Sequence, residues 1–154
     1  MSQVEDKIQS LGLKLPDVVP PLAAYQPAVR SGNYVFTSGQ LPMVDGALPA
    51  TGKVGAEVGA EQAKELAAVC ALNALAAVKS VTGDLDKIVR VVKVVGFVAS
   101  AQDFTGQPGV VNGASELLGE ILGDKGVHAR SAVGVAVLPI DAPVEVEIQV
   151  EIAD

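Results

Sequence analysis

Arg130 stands where the chain begins its last two apolar runs, and Glu145 and Glu147 follow beyond a proline-bounded turn. A guanidinium is a planar fork of donors that can grip a carboxylate through two parallel hydrogen bonds, and its charge does not titrate away near neutrality. A small carboxylate-bearing molecule is therefore its natural ligand. The plainer alternative is an ion pair with Glu145 or Glu147 on a neighbouring strand, and from spacing alone the ion pair is the better reading. Other chemistry has less to work with. His128 is the single imidazole, so any Ser or Cys nucleophile would depend on it for a base, and its place just before a strand reads as a solvated loop histidine. Cys70 lies in an alanine-rich helical stretch and reads as a small buried apolar residue. One His and one Cys far apart offer no ligand set at zinc or iron spacing, so no metal is expected. The glycine-rich stretches 52–59 and 106–109 lack both the Lys-Ser or Lys-Thr of a phosphate loop and a GxGxxG pattern after a strand. No nucleotide cofactor is expected.

Composition narrows the rest. The 154 residues show no shift in composition where a second domain could begin, so one domain, 1–154, is expected, with 1–20 as an N-terminal arm. Hydrophobic residues make up 49% but aromatics only 3%, with no Trp, so Val, Leu, Ile and Ala must build the core and base stacking has few platforms. A net charge of −7 repels a phosphate backbone, which argues against nucleic acid. A lone cysteine and the lack of a cationic-then-apolar opening point to a reducing cytoplasm. Apolar stretches such as 91–99 fall short of the roughly 20 residues that span a bilayer, so no membrane role is expected.

The elements that must position Arg130 follow from periodicity. Val4, Ile8 and Leu11 mark a short amphipathic helix ending at Gly12, packed as a lid or arm. Prolines 16, 20, 21 and 27 hold the chain extended as far as a strand at Tyr34–Thr37. Residues 41–59 carry turn chemistry and read as a long loop or hairpin. Residues 59–80 form a long alanine-rich helix, 88–99 a valine-dense strand, and 110–122 a second helix through Val111, Ser115, Leu118 and Leu122. Two strands close the chain, 131–138 and 144–152, and in the second Val144, Val146, Ile148, Val150 and Ile152 alternate with Glu145, Glu147, Gln149 and Glu151. The order β-β-(β)-α-β-α-β-β, with hairpins flanking two helices, implies an α+β domain. Its mixed sheet of about six strands carries both main helices on one face.

The tail from Ala129 through Arg130, Ser131 and Ala132 to Leu138-Pro139 and Val144-Glu145-Val146-Glu147-Ile148 resembles the Rid family, the YjgF-type reactive-intermediate deaminases. Tyr25, Gly32-Asn33, the block Phe36-Thr37-Ser38-Gly39-Gln40-Leu41-Pro42, and Asp103-Phe104 with Asn112 resemble further family segments, in family order. The resemblance implies a chorismate-mutase-like fold and a homotrimer with clefts between subunits. It also implies cofactor-free hydrolysis of 2-imino and enamine acids, such as 2-aminoacrylate, to 2-keto acids and ammonia. Carried over by position, Arg130 would clamp the substrate carboxylate and Glu145 would hold and polarise the attacking water. Tyr25 and Asn112 would line the cleft, and Gly39 and Ala132 would offer main-chain contacts. The chain departs from the pattern at Ala132, where many members have Cys, and at Gly134, where many have Glu. The arm, the 41–59 loop and Gly106–Gly109 also lengthen it. A non-catalytic carboxylate-binding module is the alternative function. The ribonuclease activity attached to the family's name comes third, and chorismate mutase activity lacks the cationic groups a dianion needs.

Overall fold

In a computed structural model the chain is described over residues 2–154. The first element, α1 (Gln3–Ser10), starts on Ser2, whose side-chain oxygen accepts from the Glu5 amide. The Asp86 carboxylate accepts from the next free amides, those of Gln3 and Val4, both at 2.9 Å. An ion pair joins Glu5 to Lys79, and Ile8 is fully buried. This helix is thus docked by its own side chains against the body of the protein and is not a free arm. What covers the expected site is the extended chain that follows it.

Five strands form one sheet: β1 (Ala28–Ser31), β2 (Tyr34–Thr37), β3 (Ile88–Ala99), β4 (Ala129–Val135) and β5 (Val144–Ile152), in the order β1-β2-β5-β3-β4. The sequence implied about six. Residues 41–59 add only isolated bridges, such as Val44 to Ala47 and Val54 to Ser100, because Pro42, Pro49 and the intervening glycines interrupt any ladder. The expected C-terminal hairpin is also absent. Strand β3 lies between β4 and β5, parallel to the first and antiparallel to the second, so the chain crosses over β3 through the turn at Pro139–Asp141.

Helix α2 (Ala60–Thr82) packs on β5 and on α3 (Gln107–Leu122). By length and composition α2 could cross a bilayer. Its apolar surface is instead spent on the core: Ala67, Cys70, Ala71, Ala74, Leu75 and Val78 are all fully buried, and small side chains let the helix lie close to the sheet. Asn73 is a buried polar exception, its amide donating to the carbonyls of Leu41 and Met43 at 3.0 and 3.1 Å. Stranding a buried carbonyl costs about 1–3 kcal/mol, so this side chain holds the start of the long loop against α2.

Both main helices cover one face of the sheet, as the sequence implied. The valines and isoleucines of β5 alternate inward without exception, meeting Val35, Val91 and Val94 in register. The opposite face, with Val29, Tyr34, Phe36 and Val133 among its exposed side chains, carries no helix among the described residues, and only the extended segment around Pro20 and Tyr25 approaches it, beside Glu145.

Candidate functional site

Register decides which candidate residues can meet. Arg130 on β4 pairs with Val94, and Val94 pairs with Ile148 on β5, so all three side chains point to the helix-covered face. Glu145 pairs with Phe97, and Phe97 with Val133, on the bare face. Within one chain Arg130 and Glu145 therefore point to opposite sides of the sheet, with β3 between their strands. The expected ion pair with Glu145 or Glu147 is overturned: among the described residues no carboxylate lies within ion-pair distance of Arg130, whereas Arg30 pairs with Asp154 at 2.7 Å and Arg90 with Glu151 at 3.9 Å.

Arg130 is held by neutral acceptors on one stripe of α3. Its Nη1 donates to Asn112 Oδ1 at 2.8 Å and to Ser115 Oγ at 3.2 Å, and its Nη2 donates to the Pro108 carbonyl at 3.2 Å. Positions 108, 112 and 115 fall on one helical face. Three of the five N–H donors are thus engaged, and Nε with one Nη2 hydrogen remain, enough for a two-point grip on an anion. Ala132, two residues along on the same face, pairs with Gly96. Since β4 is an edge strand, backbone groups along its outer side have no ladder partner in the chain.

The second half of the candidate site is a cavity of about 370 Å³ lined by Pro20, Tyr25, Ser38, Gly39, Gln40 and Glu145, among others. That volume suits a small ligand. The Glu145 carboxyl reaches so far over Gly39 that a Cβ there would lie 2.7 Å from its Cδ, so the absence of a side chain at 39 is what seats the acid. Partial burial first, and the neighbouring Glu147 second, raise the Glu145 carboxyl above the usual carboxylate range. Burial also raises Glu147. Tyr25 is 44% exposed and forms part of the wall. Sequence-expected residues thus fall into two groups: Arg130, Asn112 and Ala132 beside α3, and Tyr25, Gly39 and Glu145 around the cavity.

Three further residues enter that the sequence reading missed or misjudged. His128 is not a free loop side chain; its Nε2 lies 2.8 Å from Ser115 Oγ and its Nδ1 2.5 Å from the Gly126 carbonyl. Ser115, which helical spacing grouped with Val111, Leu118 and Leu122, turns its hydroxyl to Arg130. The i, i+4, i+7 run of Pro108, Asn112 and Ser115 is a signal that could have exposed it. Gln107 occupies the space over Gly134: its amide donates to the Phe104 carbonyl at 2.8 Å and to Ser100 Oγ at 3.1 Å, and a Cβ at 134 would fall 2.8 Å from that amide nitrogen. Cys70 is buried, and burial drives its thiol well above its ordinary range, which fits a packing role. Among the described residues no cluster of His, Cys, Asp or Glu could hold a metal ion.

Fold and site together define a class, and comparison with known proteins gives the same one. Residues 5–152 match the family described as "YjgF/chorismate_mutase-like, putative endoribonuclease", and the chain belongs to that family. Protein TCP17 of Trypanosoma cruzi is 42% identical over 151 residues, covering 97% of this chain and 94% of that protein. The crystal structure of Atu1372 from Agrobacterium tumefaciens, a protein of unknown function, is 47% identical, covers 98% of this chain and 93% of its own, and superposes with a TM-score of 0.91. The structure of Escherichia coli TdcF with bound serine is more distant, at 25% identity and a TM-score of 0.60, covering 90% of this chain and 93% of that one.

Proposed function

We propose that the protein hydrolyses reactive 2-imino and enamine acids to 2-keto acids and ammonia, in clefts completed between subunits of a homotrimer. The observation that carries this reading is Arg130: a half-buried guanidinium steered by neutral acceptors, without a carboxylate partner among the described residues, and with two donors to spare. Half-buried Glu145 likewise has no cationic partner among the described residues. Two unmatched charges of opposite sign on opposite faces of one sheet are complementary across a contact between copies. The bare sheet face, with Tyr34 and Phe36 exposed, supplies apolar surface for such a contact. Serine bound to TdcF is a small molecule bearing a carboxylate, of the kind Arg130 would grip.

In this reading Arg130 holds the substrate carboxylate and fixes the imine carbon for attack, while Asn112 spends its oxygen on Arg130 and keeps its amide donors for the ligand. Glu145 takes a proton from water as the water oxygen bonds to the imine carbon, and returns it to the nitrogen that receives the C=N electrons. It then takes the hydroxyl proton of the resulting carbinolamine as the C=O bond forms and the C–N bond breaks, and passes that proton to the departing amine, which gives the 2-keto acid and ammonia. A carboxyl raised by burial suits this give and take of one proton. No cofactor is needed. The test is to generate 2-aminoacrylate with a dehydratase and follow its decay. The pure protein should accelerate it and Arg130→Ala should abolish the acceleration; an inert wild type, or full activity in that variant, contradicts the proposal.

One observation favours a second reading, a carboxylate-binding module without turnover: Gln107 fills the place over Gly134, where the family resemblance implies Glu. Calorimetric binding of a 2-keto acid without imine hydrolysis would select it. The endoribonuclease named in the family description fits poorly with a net charge of −7; RNA left intact by the pure protein removes it.

A further inference from the structure

Behind Arg130 runs a chain of hydrogen bonds that continues away from any ligand: Arg130 Nη1 to Ser115 Oγ at 3.2 Å, Ser115 Oγ to His128 Nε2 at 2.8 Å, and His128 Nδ1 to the Gly126 carbonyl at 2.5 Å. A carbonyl oxygen only accepts, so Nδ1 carries the imidazole proton and, in the neutral ring, Nε2 is a bare acceptor. That fixes Ser115: its one hydrogen goes to His128, and a lone pair is turned toward the guanidinium. Every link then points the same way, donor to acceptor, from Arg130 to Gly126, and bonds in such a sequence strengthen one another. Gly126 is itself packed so tightly on α3 that a Cβ would meet the carbon of the Leu118 carbonyl at 2.9 Å.

We infer that Ser115 and His128 are positioning residues for the Arg130 clamp, with His128 required in its Nδ1-protonated neutral form. The inference rests on the reading of Arg130 as the carboxylate grip and extends it to two residues that would not touch the ligand. The alternative open to Ser115 shows why the imidazole matters. Without an acceptor at the Nε2 position, a serine in mid-helix turns its hydrogen to the carbonyl three or four residues back. Its lone pairs then swing away from Nη1, leaving Asn112 alone on that nitrogen. The guanidinium plane is free to pivot about its remaining bonds, and the orientation of the two spare donors is lost.

The test is carboxylate binding, with 2-oxobutanoate as the probe, measured calorimetrically on the full-length protein. Ser115→Ala and His128→Leu should each weaken binding about tenfold, the effect of losing one bond to a charged group. His128→Gln, whose side-chain oxygen reaches the Nε2 position, should stay within about threefold of wild type on the same scale. A role in mere packing would separate these variants differently, since Leu preserves bulk and Gln preserves only the acceptor. Nitrogen-15 spectra of the His128 ring give an independent readout: Nδ1 protonated and Nε2 not. Wild-type affinity in both Ser115→Ala and His128→Leu, equal losses in Leu and Gln, or the inverted tautomer would each overturn the inference while leaving the clamp intact. A wild-type protein that does not bind the keto acid removes the clamp itself, and the inference falls with it.

Discussion

The seat of Glu145 over Gly39 allows its position to be perturbed without touching its chemistry. In Gly39→Ala the new Cβ would stand 2.7 Å from the Glu145 Cδ, against an ordinary contact of 3.4 Å or more, and nearer still to one carboxylate oxygen. Gly39 is not in the left-handed region, so alanine fits the backbone without strain and something else must yield. What yields is the end of a flexible side chain on the open face of the sheet, so the acid shifts by about 1 Å at little cost in stability. A misplacement of about 1 Å in a reacting group costs about 10²-fold in rate. The expected result is a fall of about 10²-fold in kcat/KM for 2-aminoacrylate decay, with the melting temperature within about 4 °C of wild type. Binding of 2-oxobutanoate should stay within about threefold, because the Arg130 that completes this cleft comes from a neighbouring copy and is held by its own α3, not by Gly39 or Glu145. Wild-type turnover in Gly39→Ala would refute the placement of Glu145 as the proton-transfer group. A loss of keto-acid affinity as large as the loss of rate would show that the alanine had blocked the cleft instead.

Further outcomes follow from the same geometry. Arg130→Lys keeps the charge but loses the planar fork, and should weaken 2-oxobutanoate binding by about tenfold or more in a calorimetric titration. The Glu145 carboxyl is raised in the folded state, so its ionised form opposes folding and the protein loses stability as pH rises through that raised value. Glu145→Gln should therefore melt higher than wild type at neutral pH, and the gain should vanish once pH falls below the unfolded value of 4.5. Asp86 has the opposite sign: the amides of Val4 and Gln3 lower its carboxyl below 3.8, so its hold on α1 is complete above that value and is lost as pH falls through the lower folded one. Acid-dependent hydrogen exchange at the Gln3 and Val4 amides should report that release ahead of core unfolding. Ile140 is a β-branched residue at φ 51° and ψ 29°, a conformation that costs about 1 kcal/mol or more. Ile140→Asn should raise the melting temperature by about 2–4 °C.

Much of this arrangement was legible in the sequence because its determinants are local. The strict alternation of β5 and the alanine-rich run of α2 depend on residues within a few positions of one another, and each element formed where periodicity placed it. The two halves of the candidate site were also identifiable, since Arg130, Glu145, Tyr25, Gly39 and Asn112 carry the family resemblance. What could not be read was long-range. Insertion of β3 between β4 and β5 is a parallel pairing across a helix, with no local pattern to betray it, and it is this crossing that removes the anticipated Arg130 to Glu145 ion pair. His128 and Ser115 lie thirteen residues apart on a loop and a helix, so only the packed structure reveals that the lone imidazole has a partner. The short β1 escaped because four residues, three of them exposed, carry too little pattern.

Completion of each site by Arg130 of one copy and Glu145 of another is what the proposed function requires. It is tested most directly by mixing two inactive variants, Arg130→Ala and Glu145→Gln, unfolding and refolding them together in equal amounts, and assaying 2-aminoacrylate decay. Random assembly around a closed ring places an intact arginine opposite an intact glutamate in roughly a quarter of the sites, so activity should return to roughly a quarter of wild type. A mixture no more active than its two components would contradict the account.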